Sequence, residues 1–379
     1  MILNMKLYFT LSGSGSRAIL VKLWTRQSCY RAAVPLPPSA EDRTREIASS
    51  FSTIRTNFTG LNEEDWASFD AMLSQLGKGV HPSLRLAMSL ACARAATGGD
   101  IWKISGGEKT RFPYIAGIVA AGSSWKEFML LPKKERTVTE AFNSLSEAWK
   151  VIGEEMKNHG ALRGRTANGA WASDLSDPEI LYLVHQVAGD YGMGVGVNVG
   201  AQSIWNGKAY AYPKAAGSMK KELSSPEQMS FLSAVNEHYS LALIEDPFHG
   251  SDFTSHAQFS EKFPGTVVSG GDLYRGDVPR MKSAYRYRPT GAVSMSSDSL
   301  STISGLSAVC DFARGKGLKL CLGISSQETE DSWISDLSIA FGASMLKLGV
   351  TGVGNTSKYA RLLEIWEDAS EPSMGKIDA

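Results

Sequence analysis

Short apolar runs alternate with turn-forming residues along this chain, and the period of the alternation changes near residue 110. Early on, "MKLYFTL", "RAILVKLW" and "CYRAAVP" read as three strands, the first two joined by the turn-rich "SGSGS" and the third closing on Pro35. The glycines of "SGSGSRA" lie between two strands rather than at the opening of a helix, so they mark a turn and not a dinucleotide-binding loop. Helical patterns follow. "NEEDWASFDAMLSQL" offers Asn62 as its N-cap with acids in the first turn, and "HPSLRLAMSLACARAAT" is apolar enough all round to be buried. Together these segments predict a small α+β unit ending near "GGDIWKISGGEKTR".

Beyond about Phe112, strands and helices alternate. "GMGVGVNV", "SLALIED", "GTVVSGGD", "GAVSMSS", "LKLCLGIS" and "SMLKLGV" have the length and composition of buried strands. "SPEQMSFLSAVNEHY", "TISGLSAVCDFARGKG" and "DSWISDLSIAFGA" between them are helical. Strands recurring every ~25 to 30 residues suit a closed parallel α/β barrel, although a doubly wound sheet gives a similar alternation. There is no P-loop, HExxH or GxSxG motif and no internal repeat.

Composition narrows the function classes. With 379 residues, 43% hydrophobic and 21% charged, the chain is of ordinary globular make-up and long enough for about two domains. Thirty-nine basic residues balance thirty-nine acidic ones, which argues against general affinity for nucleic acid or an anionic membrane. Cys29, Cys92, Cys310 and Cys321 are far apart and lack metal spacing, as expected of reduced thiols in a cytoplasmic protein. No apolar run is long enough to cross a bilayer, and the first residues lack a signal-peptide cleavage pattern; Lys6 to Phe9 belong to the first strand.

The stretch "YSLALIEDPFHGSDF" points to chemistry. It runs apolar and then ends in Glu245, Asp246 and Pro247, as a barrel strand does when it delivers a carboxylate to an active site. His249 follows on the same loop and is the histidine nearest the predicted mouth. His81, His159, His185 and His238 fall in helical or loop contexts, and His256 lies further along. The serine run "SMSSDS" either binds a polar ligand through its hydroxyls or is a solvated strand end.

Six segments, in order and spacing, resemble enolase: "YRAAVP", "KEFMLLP", "LIEDPF", "GGDLY", "SSQETEDSWISDL" and "SKYARLLEIWED". The resemblance covers residues 5 to about 368. It implies an α/β, enolase-like fold, with a small N-terminal α+β capping domain over residues 1–108 and a modified eight-stranded α/β (TIM-type) barrel over 109–379. A homodimer formed through the small domain and the barrel is also implied. Enolase removes water from 2-phosphoglycerate: a lysine takes the proton beside the carboxylate, a glutamate helps the hydroxyl leave, and two magnesium ions stabilise the intermediate. Magnesium needs hard oxygen ligands, supplied in the family by three strand-end carboxylates.

At the positions matched by that resemblance, most of this chemistry is missing. Of the three metal-binding acids Glu245 is retained, while Asn198 and Gly271 stand at the other two positions. Asp272 survives one place later, where strand alternation turns a side chain to the opposite face. Ser296 replaces the catalytic lysine, and a hydroxyl cannot remove a carbon-bound proton without a base of its own. Ala167 and Asn168 replace two loop acids, and Ile324, Ser325 and Ser326 replace a His-Arg-Ser triplet that helps hold phosphate. Leu36, Pro37 and Pro38 stiffen a mobile loop that keeps Ser39, and the histidine loop is shortened to "AAGSSW". Glu127, Glu245, Ser326 and Lys347 remain, and Lys347 and Glu245 are expected to face each other as an ion pair, directly or through water.

Acids and bases have been lost together, which avoids unpaired buried charge. The expectation is an enolase-fold pseudoenzyme with a binding or regulatory role, a small-molecule or protein ligand, no cofactor and weak or absent magnesium binding. The alternatives are a lyase retuned to another small carboxylic acid, with Lys347 or Glu127 as base, and a genuine enolase, which is the weakest on chemistry. The pocket should prefer neutral or weakly charged molecules.

Overall fold

In the computed structural model, residues 1–105, 110–212 and 221–376 are described. The expected boundary between residues 108 and 109 lies outside them. The N-terminal unit opens with an antiparallel sheet of β1 (Ile2–Leu11), β2 (Arg17–Thr25) and β3 (Cys29–Pro35), in that order. The first strand starts three residues before the predicted run. Helices α1 (Thr44–Ile54), α2 (Trp66–Gln75) and α3 (Pro82–Ala96) follow.

Asp65, not Asn62, caps α2. The Asp65 carboxylate accepts the N–H of Ser68, while Asn62 Oδ1 accepts from Glu64 in the turn before. Both are good capping residues, so the pattern located the helix but not its first turn. As its composition predicts, α3 is buried along nearly its whole length.

The barrel resolves the ambiguity between closed and open sheets. Its strands are β4 (Tyr114–Ala121), β5 (Glu127–Leu131), β6 (Gly194–Asn198), β7 (Leu243–Glu245), β8 (Val267–Gly270), β9 (Ala292–Ser296), β10 (Lys319–Gly323) and β11 (Met345–Gly349). They pair in chain order, and β11 closes on β4 to make a ring of eight. The barrel is not wholly parallel: β5 runs antiparallel to both neighbours. A tight β4–β5 connection, too short for a crossover helix, accounts for the reversal.

The N-terminal unit is tied to the barrel by charge as well as by packing. Arg94, on α3, makes a two-pronged bond to Asp331 at 2.6 and 2.8 Å, and Asp331 also accepts the N–H of Ala33 in β3. Burial alone would raise the Asp331 pKa, but Arg94 holds it below the usual carboxylate value. The four cysteines are unpaired. No described helix is long and apolar enough to cross a membrane.

Candidate functional site

Strand direction sets the first layer of the site. Because β5 is reversed, its first residue, Glu127, lies at the barrel end where the parallel strands finish. Glu127 is in register with Asn198, and Asn198 with Glu245. Neighbours in one row across a sheet stand close enough for their side chains to interact, so three polar groups meet here by register alone.

The Asn198 amide donates to both acids, at 3.1 Å to Glu127 Oε2 and 3.1 Å to Glu245 Oε1. The expected ion pair is direct: Lys347 Nζ lies 2.6 Å from Glu245 Oε2 and 3.5 Å from Glu127 Oε2. Ser294 adds a bond to Glu245 Oε2 at 2.7 Å and shares a hydroxyl contact with Ser269. Both oxygens of Glu245 are thus engaged by donors of the protein. Burial alone would lower the Lys347 pKa, but Glu245 and Glu127 more than reverse this and keep it an ammonium.

Asp246 has a different task. Its backbone is left-handed (φ 46°), and its two carboxylate oxygens accept the N–H groups of Gly271 and Asp272, both at 2.9 Å. It latches the end of β7 to the end of β8. Burial, with Glu245 and Asp272 close by, pushes its carboxyl up to about 7 in spite of those bonds.

A cavity of about 720 Å³ opens over this layer, and its lining includes Glu127, Asn168, Asn198, Glu245, Gly271, Ser296, Ser325, Ser326 and Lys347. The metal, base and phosphate positions matched by the resemblance therefore fall at one place. The Asn168 side chain is taken up by its own turn, accepting from Thr166 Oγ1 and the Ala170 N–H. Its carbonyl accepts from Asn355 and lies where a Cβ at Gly349 would stand, so the loop is pinned against β11. A Cβ at position 271 would lie 3.0 Å from Asp246 Oδ2 and 3.7 Å from Glu245 Oε1; an acid there would face two carboxylates, and glycine presents none.

The hydroxyls of the serine run bond to the protein itself, those of Ser294 and Ser297 in the interior and those of Ser296 and Ser299 at the partly exposed strand end. Ser294 goes to Glu245, Ser296 to Asp298, Ser297 to Glu328 and Ser299 to the Ser296 carbonyl. Glu328 also takes the N–H of Ser325 at 2.9 Å and pairs with the buried Lys358 at 3.2 Å. His249 stacks on Trp205 at 4.3 Å and does not line the cavity, and neither does any residue of 36–39.

Lys126 was missed in the sequence. Its ammonium lies 3.4 Å from Asp272 Oδ2, and its aliphatic chain crosses Gly200, where a Cβ would come within 2.4 Å of it. Burial alone would lower its pKa, but Asp272, Asp246 and Glu245 raise it. The residue stands inside the "KEFMLLP" match, but nothing local ties it to an acid 146 positions away.

These donors do not fit magnesium. Asn198 points its N–H₂ at the retained acid and leaves a single buried carbonyl oxygen without a partner, Glu245 already takes three donors of the protein, and position 271 has no side chain. Among the described residues, no group of three or more His, Cys, Asp or Glu is arranged to hold a metal ion.

Comparison with known proteins agrees with this architecture. The family model described as "Enolase, C-terminal TIM barrel domain" matches residues 115–375. The enolase of Archaeoglobus fulgidus is 26% identical over 340 residues, covering 84% of each chain. That of Metallosphaera sedula is 25% identical over 415 aligned positions, covering 99% of this chain and 98% of its own.

Proposed function

The chain belongs to the enolase family, and we propose that within it this barrel has given up dehydration of 2-phosphoglycerate and serves as a binding or regulatory protein. The observation that carries this is the closed circuit of Asn198, Lys347 and Ser294 around Glu245. The retained acid is spent on internal bonds, and Ser296, at the position of the proton-abstracting lysine, donates to Asp298. A serine hydroxyl bonded to a carboxylate is too weak a base to take a carbon-bound proton.

Lys347 is a poor substitute base, because its two acids keep it protonated. Glu127 remains the candidate base for a retuned lyase, but its Oε2 already takes Asn198 and faces Lys347. The cavity disfavours multiply anionic ligands such as phosphorylated acids, since its lining acids outnumber its bases. A homodimer, as the family implies, suits the exposed Leu3, Tyr8, Phe9 and Leu11 on the outermost strand, β1.

Incubation with 2-phosphoglycerate in deuterated water tests the missing base. No deuterium is expected at the carbon beside the carboxylate. Exchange that disappears in Glu127→Gln would reveal a working base and support a lyase instead.

A further inference from the structure

We propose that the end of the barrel opposite the mouth carries an anion site that takes a chain of phosphates, free or borne on an apolar body as in a nucleoside triphosphate. The proposal concerns a second cavity and stands apart from what the mouth does.

This cavity, of about 1150 Å³, opens where the parallel strands begin. Tyr114 and Ile115 open β4, Pro132 follows the last residue of the reversed β5, and Ala242 and Val267 stand at the starts of β7 and β8. A void of this size is ample for a small-molecule ligand. Four cations line it, Lys133, Lys134, Arg136 and Lys376, against one acid, Glu135. In a chain of zero net charge such a surplus is a local field that draws anions. Among the described residues, none of the four meets a carboxylate partner. At the mouth, by contrast, lining acids outnumber bases, so the same anion is disfavoured there.

Two separate segments place these cations. After β5, the Lys133 stem lies across Gly194, where a Cβ would come 3.0 Å from its Cε. Lys134 reaches Gly192 at the C-terminal end of the helix Asp177–Tyr191, whose dipole its charge also complements, so it is the least free of the four. Lys376 comes from the other end of the chain. Ser373 and Met374 pair with Arg111 and Phe112, and the Gly375 N–H donates to the Phe112 carbonyl at 2.8 Å. A Cβ at Gly375 would lie 2.8 Å from that carbonyl oxygen, so the segment is flush against the start of β4 and sets Lys376 on the rim. Ile115, Pro132, Val267 and Met374 supply an apolar wall beside the cations. Lysine and arginine bind phosphate oxygens through charge-assisted hydrogen bonds, and such a wall suits a nucleoside.

The test is calorimetric titration of the full chain with the sodium salts of ATP and tripolyphosphate, and with adenosine, in EDTA so that no metal contributes. ATP should bind, and its affinity should fall at least about fivefold between ~20 and ~200 mM NaCl as screening sets in. Lys133→Gln and Lys376→Gln, on the two different segments, should each weaken binding roughly tenfold. Lys282→Gln, an exposed lysine outside this lining, should bind as wild type does. ATP binding tighter than tripolyphosphate assigns the site to a nucleotide, and equal binding assigns it to the bare phosphate chain; both support it.

No binding of either phosphate compound at millimolar concentration would overturn the proposal. So would binding that both lysine variants leave unchanged, binding lost instead in the mouth variant Lys126→Gln, or adenosine that binds as tightly as ATP. Should Lys133→Gln fail to fold, Lys133→Met keeps the stem across Gly194 and should show the same loss. Dehydration of 2-phosphoglycerate is read at the other cavity, so either claim can fail without the other.

Discussion

Lys347 Nζ lies 2.6 Å from Glu245 Oε2, and the two residues come from strands on opposite sides of the barrel. Counting around the closed ring, β11 and β7 are four strands apart out of eight. Their bond therefore crosses the barrel and braces opposite walls at the depth where a ligand would settle.

Removing Lys347 leaves Glu245 buried without its cation, and removing Glu245 leaves the buried Lys347 with only the longer contact to Glu127. Lys347→Met and Glu245→Leu are each expected to cost about 3–5 kcal/mol in urea unfolding. The double variant should lose less than the sum of the two, because of the three charges only Glu127 is then left without its partner. Strict additivity would show that the pair is not coupled.

Asn198→Asp puts a carboxylate between Glu127 and Glu245 in place of an amide that donates to both. Two hydrogen bonds become like-charge contacts. A loss of about 2–3 kcal/mol at neutral pH is expected, partly recovered in mild acid as the cluster takes up a proton. Unchanged melting at neutral pH would mean that the amide is not a structural donor.

Asp246 gives stability an unusual dependence on pH. Its carboxyl titrates at about 7 when folded, against an ordinary value of 3.8. The native state thus keeps a proton that the unfolded chain releases between those values. The contribution of this group is fully present below about pH 4 and is lost as pH rises to about 7. The stability of wild type minus that of Asp246→Asn should therefore fall across this interval; a flat or rising difference would contradict the assignment.

Asp331 works in the opposite sense. Arg94 holds its carboxyl below the ordinary value of 3.8 despite burial. The stability it contributes is present above that value and is lost as pH falls through the depressed one. Asp331→Asn leaves Arg94 short of its counter-ion and should cost about 3 kcal/mol. Hydrogen exchange should then rise first in β3 and α3, where Ala33 and Arg94 hold this carboxylate.

Much of the fold was legible because it depends on local pattern. The three opening strands, the buried α3 and six of the barrel strands lie where apolar runs end at turn residues. The reversal of β5 and the closure of β11 on β4 were not readable from periodicity, since both are pairings between distant segments. The site divides in the same way. Glu245, Asn198, Gly271, Ser296 and Lys347 were found by their matched positions, and all line one cavity. What each side chain does there depends on partners tens to hundreds of residues away. That is why the Ser294–Glu245 bond, the Asp246 latch and the Lys126–Asp272 pair emerged only in three dimensions.

The central claim is that the acid retained from the family's metal site has been absorbed into the structure and the dehydration chemistry has gone. Its most direct test is phosphoenolpyruvate formation from 2-phosphoglycerate at high protein concentration and saturating magnesium, with Glu245→Gln in parallel and the Archaeoglobus fulgidus enolase as positive control. The account predicts no product from wild type or variant while the control turns over. Product from wild type that vanishes in Glu245→Gln would contradict it, and would mean that Glu245 leaves Lys347, Asn198 and Ser294 to bind metal.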